Sequence, residues 1–477
     1  MEGDDKTTGL SETDRLIKKL TVDAVKAKKS FAYEKAKEIY ILLKNAVQQS
    51  YGAGHELLEI YLELIDLYIT LEEYDEAKSV IEEAEQITAD INERLELLKK
   101  KTKYLFSIPD FKSAKNVALD SLEISGYPDG DYSVHGSTVA HFLGDVAKAY
   151  LYMDQLDKAM EFAKKSEEEA KKSGDLAERS RALNILAYTI RWRDNDVQKA
   201  IEIWNKAAKL AKEAGNPEVE GNMYHGIANA YWQLRDEEKS REFYRKALAI
   251  FENSGLMEGI AMEVKGLGDT YLTEENYDRA MDYFIRAKEL YNMLNDRKNE
   301  AVVRMHIGLC HMNLGDFRLA QEEFLEAKSL ASFYKKGSDS VRTSSIINLA
   351  ELYDRMGMYD MEEKMALEAM EEIEKGMQVR ERDVDIGTVK LSLARVEMAR
   401  KNPDKAKALL AEAIEGLKKD RYYLDLLAEA HARMYAITGE DEEMVTALKY
   451  LRESGSQMTL ERLKKSGLLP EDATMED

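Results

Sequence analysis

The stretch VKGLGDTYLTEENYDRAMDYFIRA, residues 264–287, returns forty residues later as RMHIGLCHMNLGDFRLAQEEFLEA, residues 304–327. Leu267, Gly268, Tyr271, Tyr277, Ala280, Phe284 and Ala287 in the first copy match Ile307, Gly308, His311, Phe317, Ala320, Phe324 and Ala327 in the second. A period of this length is the signature of a stack of similar units, each packed on its neighbours. Val264, Leu267 and Tyr271 fall three and four apart, which makes one apolar stripe on a helix. Phe284 belongs to a second stripe after a short turn, so each unit predicts two antiparallel helices.

Working outward, the small residue that opens the second helix serves as a ruler: Ala36, Ala77, Ala114, Ala159, Ala200, Ser240, Ala280, Ala320, Glu362, Ala406 and Met444. Successive spacings run from 37 to 45, which gives eleven units. A second small site lies twelve residues earlier (Ala147, Ala228, Gly268, Gly308, Ala350, Ala394) and a third seven residues later (Ala84, Ala207, Ala247, Ala287, Ala327, Ala413). Helices cross closely only where neither presents bulk, so small residues mark the crossings and large ones fill between them. Turns such as Leu314-Gly315-Asp316-Phe317 and Met356-Gly357-Met358-Tyr359 supply a glycine for the helix end and an aromatic to plug the pair.

Bulk properties agree with amphipathic helices. Of 477 residues, 34% are charged and 44% hydrophobic, with 5 prolines. Basic residues number 69 against 91 acidic, a formal charge of −22, which opposes affinity for phosphate backbones or anionic lipid. Nucleic acid and membrane are therefore not expected as partners. The single Cys310 rules out an internal disulfide framework and suits a reducing, cytoplasmic setting. The sequence divides into a polar N-terminal tail at 1–13, the array at 14–456, a C-terminal capping helix at 457–469 and an acidic tail at 470–477. An inserted loop at 126–136 explains the spacing of 45 between Ala114 and Ala159.

Small residues at relative positions 8, 20 and 27, large ones at 4, 7, 11, 17 and 24, and a turn glycine near 15 resemble the tetratricopeptide repeat in its longer, forty-residue form. The resemblance covers about residues 15 to 455. It implies an all-α, right-handed α-solenoid superhelix of about eleven antiparallel helix pairs. Departures from the pattern are Leu43, Met444 and Leu451 at the ends, Glu362 on the ruler, and Pro403 and Asp441 in place of the turn aromatic. Looser packing is expected after residue 360. The Arg191–Asp196 segment carries one extra residue.

Enzyme signals are weak. No glycine-rich loop precedes Lys-Ser or Lys-Thr, and Gly266-Leu267-Gly268 lacks the third glycine and the strand of a dinucleotide fingerprint. His306 and His311 sit about 140° apart around a helix and do not share a face for a metal. Both read as core-lining, and Cys310 as a small buried or half-buried hydrophobe. Charge runs such as Lys164 to Lys172 read as a solvated face. No catalytic residue, cofactor or metal is assigned.

In the family that the repeats resemble, first helices line a concave groove, with positions 2, 5, 9, 12 and 13 pointing into it. Carried over, that implies a peptide-binding set of His225, Asn229, Trp232 and Gln233, then Lys265, Asp269 and Leu272, then Met305, Leu309, Met312 and Asn313. Asn348, Glu351, Asp354 and Arg355 follow. Trp232, Leu272, Leu309 and Met312 form an apolar strip suited to an amphipathic peptide. Asn229 and Asn313 offer main-chain hydrogen bonds, and Lys265 and Arg355 a site for a carboxylate. The chaperone-tail clamp of the family is not reproduced, because Asp269 stands where it needs Asn. These features point to a non-enzymatic interaction scaffold that holds a peptide or protein segment. The alternative is a sensor module that binds a small ligand or peptide and controls a separate effector subunit.

Overall fold

Asp90, Asp110, Asp175, Asp196, Asn216 and Asp236 each end a loop and accept backbone N–H groups of the helix that follows. The first turn of a helix has no internal acceptor for those groups, so such caps fix where a helix begins. The computed structural model describes residues 12–475 except 31, 53, 89, 332–339, 375–378 and 420–422. Most of the N-terminal tail, 1–11, thus lies outside the described residues. All regular structure among them is helical, and the protein is an all-α solenoid.

The helices run in pairs. The first six pairs are α1 (Glu12–Lys29) with α2 (Tyr33–Tyr51), α3 (His55–Thr70) with α4 (Tyr74–Glu85), α5 (Ile91–Ser107) with α6 (Phe111–Ile124), α7 (Gly136–Tyr152) with α8 (Leu156–Ser173), α9 (Leu176–Arg193) with α10 (Val197–Glu213), and α11 (Pro217–Gln233) with α12 (Glu237–Ser254). The other five are α13 (Met257–Thr273) with α14 (Tyr277–Met293), α15 (Arg297–Leu314) with α16 (Phe317–Ala331), α17 (Ser340–Arg355) with α18 (Tyr359–Glu374), α19 (Val379–Ala399) with α20 (Pro403–Leu417), and α21 (Leu424–Thr438) with α22 (Asp441–Ser454). A last helix, α23, spans Gln457–Lys465.

By internal contacts the chain divides into two compact units. Unit 1 holds residues 1–263 and 293–296, and unit 2 holds 264–292 and 297–477. In unit 1, α3 meets α5, α5 meets α7, α7 meets α9 and α9 meets α11, so its first helices share a continuous face. In unit 2, α15 meets α17 and α17 meets α19 in the same manner. Ruler residues Ala36, Ala77, Ala114, Ala159 and Ala200 are fully buried in unit 1, as are Ala280, Ala320 and Ala406 in unit 2. Ser240 is buried too, and its hydroxyl donates to the Ala228 carbonyl at 3.0 Å, which removes the cost of a polar group at that crossing.

Close approach is visible at two glycines of unit 2. A Cβ on Gly268 would lie 2.6 Å from the Phe284 ring, and one on Gly308 would lie 2.5 Å from Phe324. In at least eight of the eleven pairs the turn takes a left-handed residue at one recurring place: Glu72, Asp154, Asn195, Arg235, Glu275, Gly315, Gly357 and Lys401 all have positive φ. Only two of these are the glycines that read as turns from sequence.

Looser packing is visible at the α17–α18 turn, whereas further on Leu410, Ala413, Leu417 and Leu451 are fully buried. Pro403 replaces the plugging aromatic, Tyr359 is 40% exposed, and a hollow of about 430 Å³ opens among Gly357, Met358, Tyr359, Met361, Ala399 and Arg400. Nearby, Glu362 occupies the ruler site fully buried, with neither carboxylate oxygen hydrogen-bonded. The 126–136 loop packs Tyr127 edge-on to Tyr132, ring centres 5.1 Å apart, over the core around Phe142.

Candidate functional site

On the first-helix face of unit 1, α11 carries four of the predicted residues. His225 Nδ1 lies 2.9 Å from Oε1 of the buried Glu263, and its ring centre is 5.7 Å from Tyr244. Asn229 accepts from the Tyr244 hydroxyl at 2.6 Å. Trp232 is half-buried, and the exposed Gln233 accepts from Arg191 Nε at 2.6 Å. Asn229 thus uses one of its two carbonyl lone pairs inside the fold.

Trp232 ends a series that the sequence reading did not assemble. Phe106, Tyr152, Trp192 and Trp232 sit near the ends of α5, α7, α9 and α11, 46, 40 and 40 residues apart. Phe106 and Tyr152 have ring centres 6.4 Å apart, and Tyr152 and Trp192 are 6.5 Å apart, both edge-on. Edge-on contact at that separation is favourable for aromatic quadrupoles. Phe111 stacks on Tyr152 at 4.9 Å from the side. Lys148 holds its ammonium 4.4 Å from the Phe106 ring centre and 5.9 Å from that of Tyr152, and burial pushes its pKa down. The signal was available: an aromatic at position 12 or 13 of four consecutive units.

Below this row lies a charged group from α5, α7 and α9. Asp145, nearly buried, accepts from Arg181 and from the Thr102 hydroxyl at 2.8 Å, while His141 bridges to Glu178 at 3.0 Å. Burial alone would raise the Asp145 pKa, but Arg181 and His141 hold it below its ordinary value. Such a network fixes the helices that present the aromatics.

In unit 2, Lys265 donates to Asp269 Oδ2 at 2.6 Å, and His306 Nδ1 lies 3.0 Å from Oδ1. Burial raises the Asp269 carboxyl, but Lys265 and the contact with His306 outweigh it and hold the carboxyl at about 2. His306 also packs 5.1 Å from Phe284, so it lines the core and faces a carboxylate at once. Leu272 is half-buried. Met305 and Leu309 are half-buried and lean on the core of α16 to α19. Met312 corrects the predicted strip: it is only 2% exposed and belongs to that core, because α17 packs over it. Asn313 donates to the Leu309 carbonyl at 3.0 Å and accepts from Arg355 Nη1 at 2.9 Å; Arg355 Nη2 donates to Glu351 at 2.7 Å. Lys265, Arg355 and Asn313 thus each make contacts within the fold already, while Arg355 Nε has no hydrogen-bond partner there. Asn348 is half-buried on the same face.

Beyond Arg355 lies a buried ionic cluster. Glu429 on α21, fully buried, accepts from Arg395 Nε and Arg433 Nε at 2.8 Å through Oε1, and from Arg462 Nη2 at 2.9 Å through Oε2. Asp354 lies 3.7 Å from both Arg395 and Arg433, and Glu362 lies 3.9 Å from Arg395. Despite burial, the three arginines hold Glu429 well below its ordinary value. Glu362 is pushed up to about 8 by burial, which outweighs the more distant Arg395 and Arg433. Many pairs in both units join residues about one repeat apart, including Lys28 with Glu63, Lys44 with Glu83, and Arg395 with Glu429. Opposite charges at that separation are the sequence signal for them.

Cys310 is fully buried and burial pushes its thiol up to about 12. Among the described residues no group of three His, Cys, Asp or Glu side chains could hold a metal ion, and no helix is long and apolar enough to cross a membrane.

Paired helices in series, small residues at the crossings and a shared first-helix face define a helical-hairpin solenoid. The fold is that of a tetratricopeptide-like repeat solenoid. Residues 58–91 match the tetratricopeptide repeat, and residues 187–335 match the soluble NSF attachment protein family. No curated protein matches the chain. Among solved structures it is similar to the apo form of the quorum sensor NprR from B. thuringiensis, at 14% identity and TM-score 0.50, covering 76% of this chain and 99% of that one. A Rap protein complexed with competence and sporulation factor aligns at 18% identity and TM-score 0.48, covering 76% and 98%. A signal-transduction ATPase with a tetratricopeptide sensor from Pyrococcus horikoshii aligns at 16% identity and TM-score 0.48, covering 77% of this chain and 54% of that one.

Proposed function

We propose that this protein is a non-enzymatic, cytoplasmic interaction scaffold that holds a peptide or protein segment on its first-helix faces. The observation that carries this reading is the aromatic row of unit 1, in which Phe106, Tyr152, Trp192 and Trp232 occupy one place in four successive pairs. Half-exposed aromatics held on helices joined by a partly buried ionic network give large contact area at small entropic cost, which suits a bound segment. Tyr152, 42% exposed, has surface left to bury. In unit 2, Leu272, Met305, Leu309 and Asn348 are among the predicted residues that keep partial exposure. The acidic balance of −22 favours protein over nucleic acid as partner, and a single cysteine suits a reducing compartment.

The test is affinity capture with crosslinking and mass spectrometry on the full chain, followed by titration of the captured partner against variants. Trp232→Ala should weaken binding by about 2 kcal/mol or more if Trp232 is a central anchor. Crosslinks confined to second helices, or equal affinity of Trp232→Ala and the parent protein, would remove the row from the site.

A further inference from the structure

The C-terminal helix α23 is held differently from the other helices. Nine residues make about two and a half turns, too short to be stable alone, so its order comes from what it docks on. Leu460 and Leu463 are buried with Ala428, Ala432, Ala447 and Leu451 of α21 and α22. Its polar contacts with the array include groups at its start and near its end. At its start, Ser456 Oγ donates to Glu275 Oε1 at 2.6 Å and Met458 N donates to Glu275 Oε2 at 3.3 Å, while the Tyr277 hydroxyl lies 3.4 Å from Met458 Sδ. A carboxylate at a helix N-terminus is favourable, and this one comes from the turn between α13 and α14, some 180 residues away. Further along, Arg462 reaches the ionic cluster and donates to Glu429 Oε2.

The array supplies Arg395 and Arg433 to Glu429 Oε1, but Oε2 is met by Arg462. Withdrawal of α23 leaves a buried carboxylate oxygen without its donor, next to Glu351, whose pKa Arg462 also lowers. A buried acceptor without a donor is costly, so whatever replaces α23 must bring a cation to the same place.

We propose that α23 is a displaceable internal occupant of unit 2, and that the outside partner of this surface is an amphipathic helical segment with two leucines three residues apart and an arginine between them. Leu460, Arg462 and Leu463 are the internal copy of that pattern. This rests on the reading of the first-helix faces as peptide-binding surfaces, and it adds for unit 2 the chemistry of the ligand.

The test uses the full chain carrying Ser456→Ala, which removes the side-chain cap of α23 and its hydrogen bond to Glu275 while leaving Glu275 and the buried leucines in place. Hydrogen exchange of the α23 amides should rise about tenfold or more while α21 and α22 stay as in the parent protein. A labelled synthetic peptide of residues 456–469 should then bind the variant about tenfold tighter than the parent, and the same peptide with Arg462→Ala should lose that gain. Exchange of α23 together with α21 and α22 in both proteins would show a fixed cap and overturn the proposal. So would failure of the peptide to bind a variant whose α23 exchanges fast, or equal binding by the Arg462→Ala peptide. The aromatic row of unit 1 has its own test in Trp232→Ala, so a fixed cap leaves that reading standing.

Discussion

Glu362 stands where eight other units carry alanine, in a fully buried site where neither carboxylate oxygen is hydrogen-bonded. Burial pushes its pKa up to about 8, helped by Asp354 and Glu429 and opposed by Arg395 and Arg433. The unfolded chain releases this proton near the ordinary value of 4.5, whereas the fold keeps it. A group raised in the fold contributes fully below its unfolded pKa, and that contribution is lost as pH rises through about 8. Glu362→Gln keeps the shape without the charge. Denaturant unfolding should show the variant gaining a few kcal/mol over the parent at pH 9 and little at pH 4. An equal difference at both pH values would mean that Glu362 does not titrate in this range. Gly308 gives the opposite case, a small residue required by a fully buried neighbour. Gly308→Ala places a methyl against Phe324 and should cost about 1–3 kcal/mol, measured by the same unfolding.

Among elements, the turn inside each pair shows how a local rule escapes a composition-based reading. Gly315 and Gly357 announce the left-handed turn residue, but Arg235 and Glu275 adopt the same conformation without announcing it. Neighbouring caps and packed helices impose it, at a cost that glycine avoids. Arg235→Gly should therefore stabilise the α11–α12 pair by about 0.5–1 kcal/mol, read as a higher unfolding midpoint. Asp236, one residue on, caps α12 through the Lys239 N–H, and Asp236→Ala should cost about 1 kcal/mol. The ruler was legible because alanine at a crossing is a local necessity repeated every unit. The ionic pairs were not, because a chain with 34% charged residues offers many candidates for each carboxylate, and only packing selects the one a repeat away. Met312 was misplaced for a related reason. Position in a repeat gives the direction of a side chain, but the next helix decides whether that direction is open.

For the molecule as a whole, a stack of units implies stability that is a sum of neighbour terms. The two compact units make this measurable. Gly308→Ala, in unit 2, should speed amide exchange in α15 to α18 and leave α3 to α8 of unit 1 unchanged in hydrogen-exchange mass spectrometry. Acceleration spread evenly over both units would show one cooperative body instead. The lone thiol has a practical consequence at this scale. Cys310 is sealed in the core and protonated far above neutral pH, so the native chain should be nearly inert to maleimides. A reporter dye can then be attached at any single engineered surface cysteine without first removing the natural one. That makes the untouched protein its own background for fluorescence measurements of α23 and of the aromatic row.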